Sequence, residues 1–278
     1  AEWLPDSSGY VVRERDPKTD EPVQVRYDVR TGKRIESQPA SESQPDPERL
    51  SPDGTRVLEF RERNLFVRDL ATSRETQLTN RSAERDVWYR QPVWSPDGKR
   101  IVFVESDETD VRLRPVLVPT DPSYPEVQNN RFARVGEKIA TLRVGVVDSE
   151  GKSIQWLSVE APNDGFYLGQ VDWAGNSDEV LVEKLSRFRD QREFLLASVD
   201  TGDVHQIYHE SNEAWAVGSQ GKNSGLTWLQ DGKAFIVVSE KDGWRHAFLH
   251  SREGNELSLL TPGKYDIIDR AVVDEDGS

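Results

Sequence analysis

The stretch Trp94-Ser-Pro-Asp-Gly-Lys-Arg-Ile-Val-Phe-Val104 joins a tight turn to a β-strand. In the turn, Pro presets φ, Asp hydrogen-bonds its own backbone, and Gly adopts the positive φ that a Cβ would penalise. The β-branched and aromatic residues that follow are typical of a buried strand. Similar stretches recur along the chain, each with an apolar residue, a turn and a strand: Trp3–Val12, Leu50–Phe60, Val171–Val182, Leu226–Val238 and the truncated Val273–Ser278.

A second pattern, a strand followed by a polar turn and another strand, alternates with the first without exception. Its Gly, Asn and Asp residues predict β-hairpins. The copies are Val23–Lys33, Asn64–Ser73, Leu142–Lys152, Phe194–Asp203 and Ala247–Gly254. The repeats start near positions 3, 50, 94, 171 and 228, which fits the roughly 40–50 residues of a four-stranded propeller blade with inserts. The sequence therefore predicts an all-β fold, a β-propeller of four-stranded antiparallel blades, with five blades and part of a sixth.

The blades are expected to form a single propeller region over residues 1–278. Residues 36–48 are polar and rich in proline without periodicity, which predicts a long exposed connection. An insert at about residues 107–139 interrupts the third repeat, and its prolines exclude a regular central strand there. The repeat ranges are 3–35, 50–79, 94–159, 171–210 and 228–262, with the start of another at 272–278.

Composition narrows the classes of partner. The chain has 278 residues, a net charge of −14 and 31% charged residues, and this acidic balance opposes binding to nucleic-acid phosphates. No apolar run is long enough to cross a membrane, so no membrane span is predicted. The absence of cysteine excludes disulfides, thiolate nucleophiles and zinc–thiolate sites. Because neither an initiator nor any other methionine is present, we expect a processed or partial chain.

Motifs for catalysis or cofactor binding are absent from the sequence. Gly218-Ser-Gln-Gly221 lacks the Gly-x-Ser-x-Gly spacing of a hydrolase nucleophile, and neither a Walker loop nor Gly-x-Gly-x-x-Gly occurs. The pairs His205/His209 and His246/His250 lie in predicted strands, where four residues span about 13 Å, too far for a shared metal. We therefore predict no catalytic residue, no metal site and no cofactor in this chain.

Five stretches are more specific than the repeated turns: Pro122–Val127, Arg131–Glu137, Leu142–Asp148, Ser239–His246 and Leu259–Gly263. They resemble the amino-terminal β-propeller of the dipeptidyl peptidase IV family of serine peptidases. The resemblance implies an eight-bladed propeller, of which this chain is an incomplete part, over an α/β-hydrolase domain whose Ser, Asp and His follow it in sequence. It also favours an extracytoplasmic compartment, and it leaves the formation of a homo-oligomer open.

In family exopeptidases, a segment of the form Asp-Trp-Val-Tyr-Glu-Glu precedes the third-blade turn, and its two carboxylates bind the α-ammonium of the substrate. Here the matching text is Asp86-Val-Trp-Tyr-Arg-Gln91, so an arginine and a glutamine replace the two acids. An arginine at this place would favour a carboxylate, or a blocked or internal peptide, over a free ammonium. The substrate-binding candidates are Glu84, Asp86, Trp88, Tyr89 and Arg90. For the last three, simple blade packing or solvent exposure is the alternative interpretation.

Two functions of different classes are consistent with the sequence. The resemblance implies a non-catalytic domain of a serine peptidase that gates access and orients peptide substrates for a C-terminal hydrolase domain. The alternative is a free-standing propeller that binds a protein or peptide on its funnel face. Under both, we expect no hydrolysis by this chain alone.

Overall fold

Strands connected by tight turns account for the regular structure of the protein, as the repeated turn–strand pattern predicts. Contacts divide the chain into two compact units, residues 1–48 and residues 49–278. Within the described residues, the regular structure consists of strands together with a short 3-10 helix at Pro47–Arg49. The computed structural model describes residues 2–3, 8–15, 22–39, 46–81, 86–118, 123–216, 225–229 and 232–267.

The first unit is one antiparallel sheet, which we call blade 1. Its strands follow one another in chain order, β1 to β4. The fourth strand extends to Pro39, so the predicted connection 36–48 begins later than the sequence pattern indicates. Backbone pairing with the preceding strand holds these polar residues in place, and such pairing needs no apolar periodicity. The strands are β1 Glu2–Trp3, β2 Gly9–Arg15, β3 Pro22–Asp28 and β4 Arg34–Pro39.

The second unit begins with three sheets. Blade 2 is the three-stranded sheet β5-β6-β7, and blade 3 is the four-stranded sheet β13-β12-β9-β8. Strands β10 and β11 form a separate hairpin inside the predicted insert, so Pro115 lies in a strand with one neighbour. The strands are β5 Arg56–Arg61, β6 Asn64–Asp69, β7 Glu75–Gln77, β8 Val87–Trp94, β9 Arg100–Asp107, β10 Leu113–Val118, β11 Glu126–Arg131, β12 Thr141–Asp148 and β13 Ile154–Trp156.

Two further four-stranded antiparallel sheets follow, blade 4 and blade 5. In both, the strands pair in chain order, so each blade is a meander. The predicted all-β fold of four-stranded antiparallel blades is confirmed, whereas a total of eight blades stays a prediction. The strands are β14 Phe166–Trp173, β15 Glu179–Ser186, β16 Gln191–Ser198 and β17 Val204–Ser211 in blade 4, and β18 Thr227–Leu229, β19 Ala234–Ser239, β20 His246–Ser251 and β21 Glu256–Leu259 in blade 5.

Successive blades of the second unit pack face to face through three apolar clusters. Strand β9 shows the principle, because alternate side chains of a strand point to opposite faces. Ile101 and Phe103 join the cluster with blade 2, and Val102 and Val104 join the cluster with blade 4. A third cluster, which includes Phe235, joins blades 4 and 5. Central strands are therefore buried on both faces.

A tryptophan hydrogen bond recurs between neighbouring blades. The indole N–H of Trp94 donates to the carbonyl oxygen of Arg49 at 3.0 Å. One blade further, the indole N–H of Trp173 donates to the carbonyl oxygen of Val93 at 3.1 Å. Each acceptor comes one residue before the apolar residue that opens the preceding repeat. Equivalent positions of the sequence repeat therefore form equivalent hydrogen bonds between neighbouring blades.

A buried ion pair connects blade 4 to blade 5. Arg192 and Glu183 are both fully buried, and the Arg192 Nε–H donates to Glu183 Oε1 at 2.7 Å. An Nη1–H of the same arginine donates to the Val238 carbonyl oxygen at 3.0 Å. Glu183 also accepts the backbone N–H of Gln170 at 2.9 Å, and the Gln170 side-chain oxygen accepts the Leu226 N–H at 2.8 Å. This network crosses the interface between the two blades.

Replacing Glu183 leaves the buried Arg192 without its close carboxylate partner, with Glu210 Oε2 more distant at 4.0 Å from Nη1. We expect Glu183→Gln to lower the free energy of unfolding by about 3 kcal/mol, measured by urea denaturation. Glu193→Gln is the matched control, because its partner Lys184 lies at 3.1 Å in a partly exposed pair, and such pairs contribute about 1 kcal/mol or less. Equal losses for the two variants would contradict the prediction.

One histidine of blade 5 is buried in an aromatic environment. The ring of His250 stacks on Phe235 with centroids 5.1 Å apart, and it meets Tyr208 edge to face at 5.3 Å. Its Nδ1–H donates to the Gly254 carbonyl oxygen at 3.1 Å. Burial lowers the pKa of His250 below its ordinary value of 6.5, against a smaller opposing effect of the Gly254 hydrogen bond.

This environment predicts a pH dependence of stability. Because the pKa of His250 is lower in the folded state than in the unfolded state, the unfolded chain takes up the proton first as the pH falls. The free energy of unfolding should therefore be highest above about pH 6.5 and decline below it. His250→Gln should flatten this decline between about pH 7.5 and 5, measured by urea denaturation at each pH. His205→Gln, at an exposed position, should keep it, and an unchanged slope in His250→Gln would refute the assignment.

Candidate functional site

The predicted site segment lies at one end of blades 3 and 4, which we call the insert end. Strand β8 begins at this end, and strand β9 finishes there, where the chain continues into the insert. Strand β14 begins at the same end, and β15 finishes there in the turn of residues 187–190. The turns of the form Ser-Pro-Asp-Gly lie at the opposite end of the strands. The insert end therefore gathers loops, which commonly carry binding residues on a rigid scaffold.

The first strands of blades 3 and 4, β8 and β14, each contain a β-bulge. The pairing of β8 with β9 shifts between Arg90 and Val93, and the pairing of β14 with β15 shifts between Leu168 and Val171. The second bulge requires Gly169, because a Cβ there would lie 2.1 Å from Glu183 Oε2. Bulges bend a strand and redirect its side chains, so each of these strands departs locally from regular pairing near the insert end.

Two adjoining cavities open at the insert end. The small cavity has a volume of about 260 Å³, and the large cavity has a volume of about 900 Å³. The small one is bordered by Arg90 and Glu108 from blade 3, and the large one by Arg187 and Phe188 from blade 4. They share the walls Ile139, Ala140, Leu142, Phe166 and Tyr167. An apolar wall with a few polar groups is the usual construction of a ligand site.

Asp86 is held by two arginines. Its Oδ2 accepts hydrogen bonds from Arg131 Nε at 2.9 Å and Nη2 at 2.5 Å, and its Oδ1 accepts one from Arg63 at 3.3 Å. The bond from Arg131, and then that from Arg63, holds the pKa of Asp86 below its ordinary value. The Arg131 Nη1–H also donates to the Val111 carbonyl oxygen at 2.7 Å. Asp86 thus anchors the base of the insert hairpin, a role that the sequence did not indicate.

The two aromatic candidates have different environments. Trp88 is 36% exposed, and the guanidinium of Arg63 covers its ring at 4.0 Å from the centroid. Tyr89 is buried and meets Phe103 edge to face at 5.4 Å. Burial, followed by the charge of Glu105, raises the pKa of Tyr89. Tyr89 packs inside the blade, as the alternative interpretation predicts, whereas the side chain of Trp88 is partly exposed at the insert end.

Arg90 reaches the small cavity but is paired. Its side chain is 54% exposed, and its Nη2 lies 2.5 Å from Glu108 Oε1. Glu108, which the sequence analysis missed, therefore compensates the charge expected to attract a carboxylate. The remaining candidate, Glu84, lies outside the described residues. No pattern in the sequence signals Glu108, because it belongs to an irregular loop after β9.

The four histidines occur in pairs on β17 and β20. In the part of the chain that the structure describes, no three residues of the types His, Cys, Asp and Glu are grouped to hold a metal ion. Within the same ranges, no helix combines the length and apolar character needed to cross a bilayer.

Comparison with known families and proteins gives consistent matches. A family model described as "Dipeptidyl peptidase IV (DPP IV) N-terminal region" matches residues 20–278. A probable dipeptidyl peptidase 4 of Aspergillus flavus is 23% identical, across 90% of this chain and 35% of its own length. A probable dipeptidyl-aminopeptidase B of Pyrenophora teres f. teres is 24% identical, across 79% of this chain and 28% of its own. The chain thus spans about a third of the length of these relatives.

A solved structure shows the same fold. The crystal structure of Porphyromonas gingivalis dipeptidyl peptidase 4 superposes with a TM-score of 0.75 and 23% sequence identity. The match covers 99% of this chain and 41% of that one. The propeller fold is therefore common to both chains.

The anchoring role of Asp86 can be tested directly. We expect Asp86→Asn to release Arg131 from the base of the insert, so that amide hydrogens of residues 113–118 and 126–131 exchange faster with deuterium. Because the group is partly exposed, the loss in unfolding free energy should not exceed about 1 kcal/mol. Asp148→Asn is the control, since its partner Lys152 lies at 3.4 Å in an exposed pair. Unchanged exchange of the hairpin in Asp86→Asn would contradict the role.

Proposed function

The chain belongs to the dipeptidyl peptidase IV N-terminal region family, and on this basis we propose that it is the non-catalytic propeller domain of a serine peptidase. In this role it gates access and orients peptide substrates for a hydrolase domain in another part of the parent protein. The family resemblance implies such a domain after the propeller in sequence.

The pair of cavities at the insert end is the observation that carries the proposal. Their shared wall is mostly apolar and includes Leu142 and Phe166, and the polar groups around it include Tyr167, Arg187 and the Arg90–Glu108 pair. Such a surface can hold apolar side chains of a peptide and bond its backbone. The bulges in β8 and β14 create this surface without interrupting the blades behind it. A substrate could therefore bind here without any chemistry on this chain.

The charges at the site bear on which peptides fit. Within the described residues, Asp86 is paired with Arg63 and Arg131, and Glu108 is paired with Arg90. Because both acids are already paired with arginines, neither can contribute to a pair of carboxylates that binds a free α-ammonium group. Among these residues, the arrangement supports blocked or internal peptides over peptides bound through a free amino terminus.

The gene beyond the codon for Ser278 tests the domain assignment. We expect it to encode a hydrolase domain with a Gly-x-Ser-x-Gly motif, and the purified 278-residue chain to turn over neither dipeptidyl nor acyl-peptide chromogenic substrates. A stop codon would instead support the alternative, a free-standing propeller that binds peptides. Turnover by the chain alone that serine inhibitors block would contradict the non-catalytic role.

The same preparation tests the proposed preference for peptides that have no free amino terminus. An acetylated peptide should bind at least as tightly as its free-amine counterpart, as measured by calorimetry. Tighter binding of the free amine, lost on Glu84→Ala, would contradict the preference and assign the ammonium contact to Glu84.

A further inference from the structure

Two arginines beside the large cavity have no carboxylate partner among the residues that the structure describes. Arg187 and Arg189 belong to the turn between β15 and β16, and their guanidinium centres lie 5.8 and 5.1 Å from the ring centroid of Tyr167. Arg187 donates from Nη1 to the Tyr167 hydroxyl oxygen at 2.8 Å and from Nη2 to the Glu137 carbonyl oxygen at 3.0 Å. Both acceptors are neutral. No carboxylate of the described chain comes within 4.0 Å of either guanidinium.

Several other cations at this end have a carboxylate partner. Arg90 pairs with Glu108, and Arg131 pairs with Asp86. In the segment that lines the large cavity, Lys138 pairs with an aspartate of the insert. The acidic side chain of Glu137 is itself taken by Arg112 at 3.1 Å. Within the described residues, Arg187, Arg189 and Arg134 of the cavity lining have no such carboxylate partner, in a protein whose net charge is −14.

The turn that carries the two arginines is firmly held. Ser186 Oγ accepts the N–H groups of Asp190 and Gln191 at 3.1 and 3.0 Å, and the Arg189 carbonyl accepts the Ala216 N–H at 2.7 Å. Arg189 nevertheless has a φ of 57°, an unfavourable conformation for a residue with a Cβ. A rigid turn with local strain is typical of a functional position, because the surrounding bonds must hold it in place.

The cavity next to Arg187 has the size of a small-ligand site, and its lining is partly apolar and partly charged, with Arg134, Lys138 and Asp164 among the charged residues. Its volume of about 900 Å³ lies within the range of small-ligand sites. Phe166 and Ile139 form part of its wall, and Phe188, which is 76% exposed, borders it from the turn. Arginine has five N–H donors, and the two bonds described above leave three of them for a ligand.

We propose that the large cavity binds the C-terminal carboxylate of a short apolar peptide and that Arg187 is its partner. The planar guanidinium matches a carboxylate in a bidentate pair, and the adjoining wall accepts the last apolar side chain. The proposal moves carboxylate recognition from Arg90, whose charge Glu108 compensates, to Arg187. It rests on the proposed function only in taking the ligand to be a peptide.

The test compares N-acetyl-Ala-Ala-Phe as the free acid and as the C-terminal amide, by isothermal titration calorimetry with the purified 278-residue chain. We expect the acid to bind about tenfold more tightly, as a charge-assisted pair predicts. The preference should shrink when sodium chloride is raised, because salt screens exposed charges. Both peptides are acetylated, so the result does not depend on the amino-terminal preference tested above.

Arg187→Gln should remove the preference for the acid, so that the acid and the amide bind with equal affinity. Arg100→Gln is the matched control, since Arg100 lies at the opposite end of blade 3 and pairs with Asp200 at 3.3 Å, and it should keep the preference. A circular dichroism spectrum like that of the parent chain will show that each variant is folded. Equal affinities of the acid and the amide for the unsubstituted chain, a lack of binding by both, or a preference that survives Arg187→Gln would overturn the proposal.

Discussion

A four-stranded blade has two apolar faces and can bury both only between two neighbours. In the second unit this constraint decides which residues lie where. Strand β9 sends Phe103 toward blade 2 and Val102 toward blade 4, and the indole N–H groups of Trp94 and Trp173 bond carbonyls of the preceding blade. A modest apolar content is sufficient, because each apolar strand serves two interfaces. The insert end departs from this rule, and the cavities lie there.

The bulges that open the insert end have a structural cost inside blade 4. An extra residue in β14 leaves a backbone N–H without a partner in the ladder, and the carboxylate of Glu183 accepts it. That carboxylate fills the space a side chain at position 169 would need, and burying it requires Arg192. The buried polar residues of blade 4 and the bulge beside the cavity are thus directly connected by hydrogen bonds. Removing regular pairing at the surface required a charged pair in the core.

Local patterns were sufficient to predict the blades and insufficient to predict the site. The turn after Trp94 depends on the conformational preferences of four consecutive residues, so it could be recognised without knowledge of the fold. The environment of Asp86 depends on Arg131, which is 45 residues away, and that of Arg90 depends on Glu108 in an irregular loop. Tyr89 alternates with exposed neighbours along β8, and only the pairing register shows that its face is the buried one. Glu84 stays a prediction.

The hydrogen bonds around Gln170 have a mechanical consequence. The bulge of β14 stands directly behind Leu168 in the wall of the small cavity, and Gln170 of that bulge bonds Leu226, which leads into blade 5. Arg192 connects the same region to Val238 in blade 5. Blade 5 is therefore hydrogen-bonded to the strand region that lies behind the cavity wall. A displacement of blade 5 would act as a lever on the cavity wall, changing its shape without contact with any residue that a ligand touches.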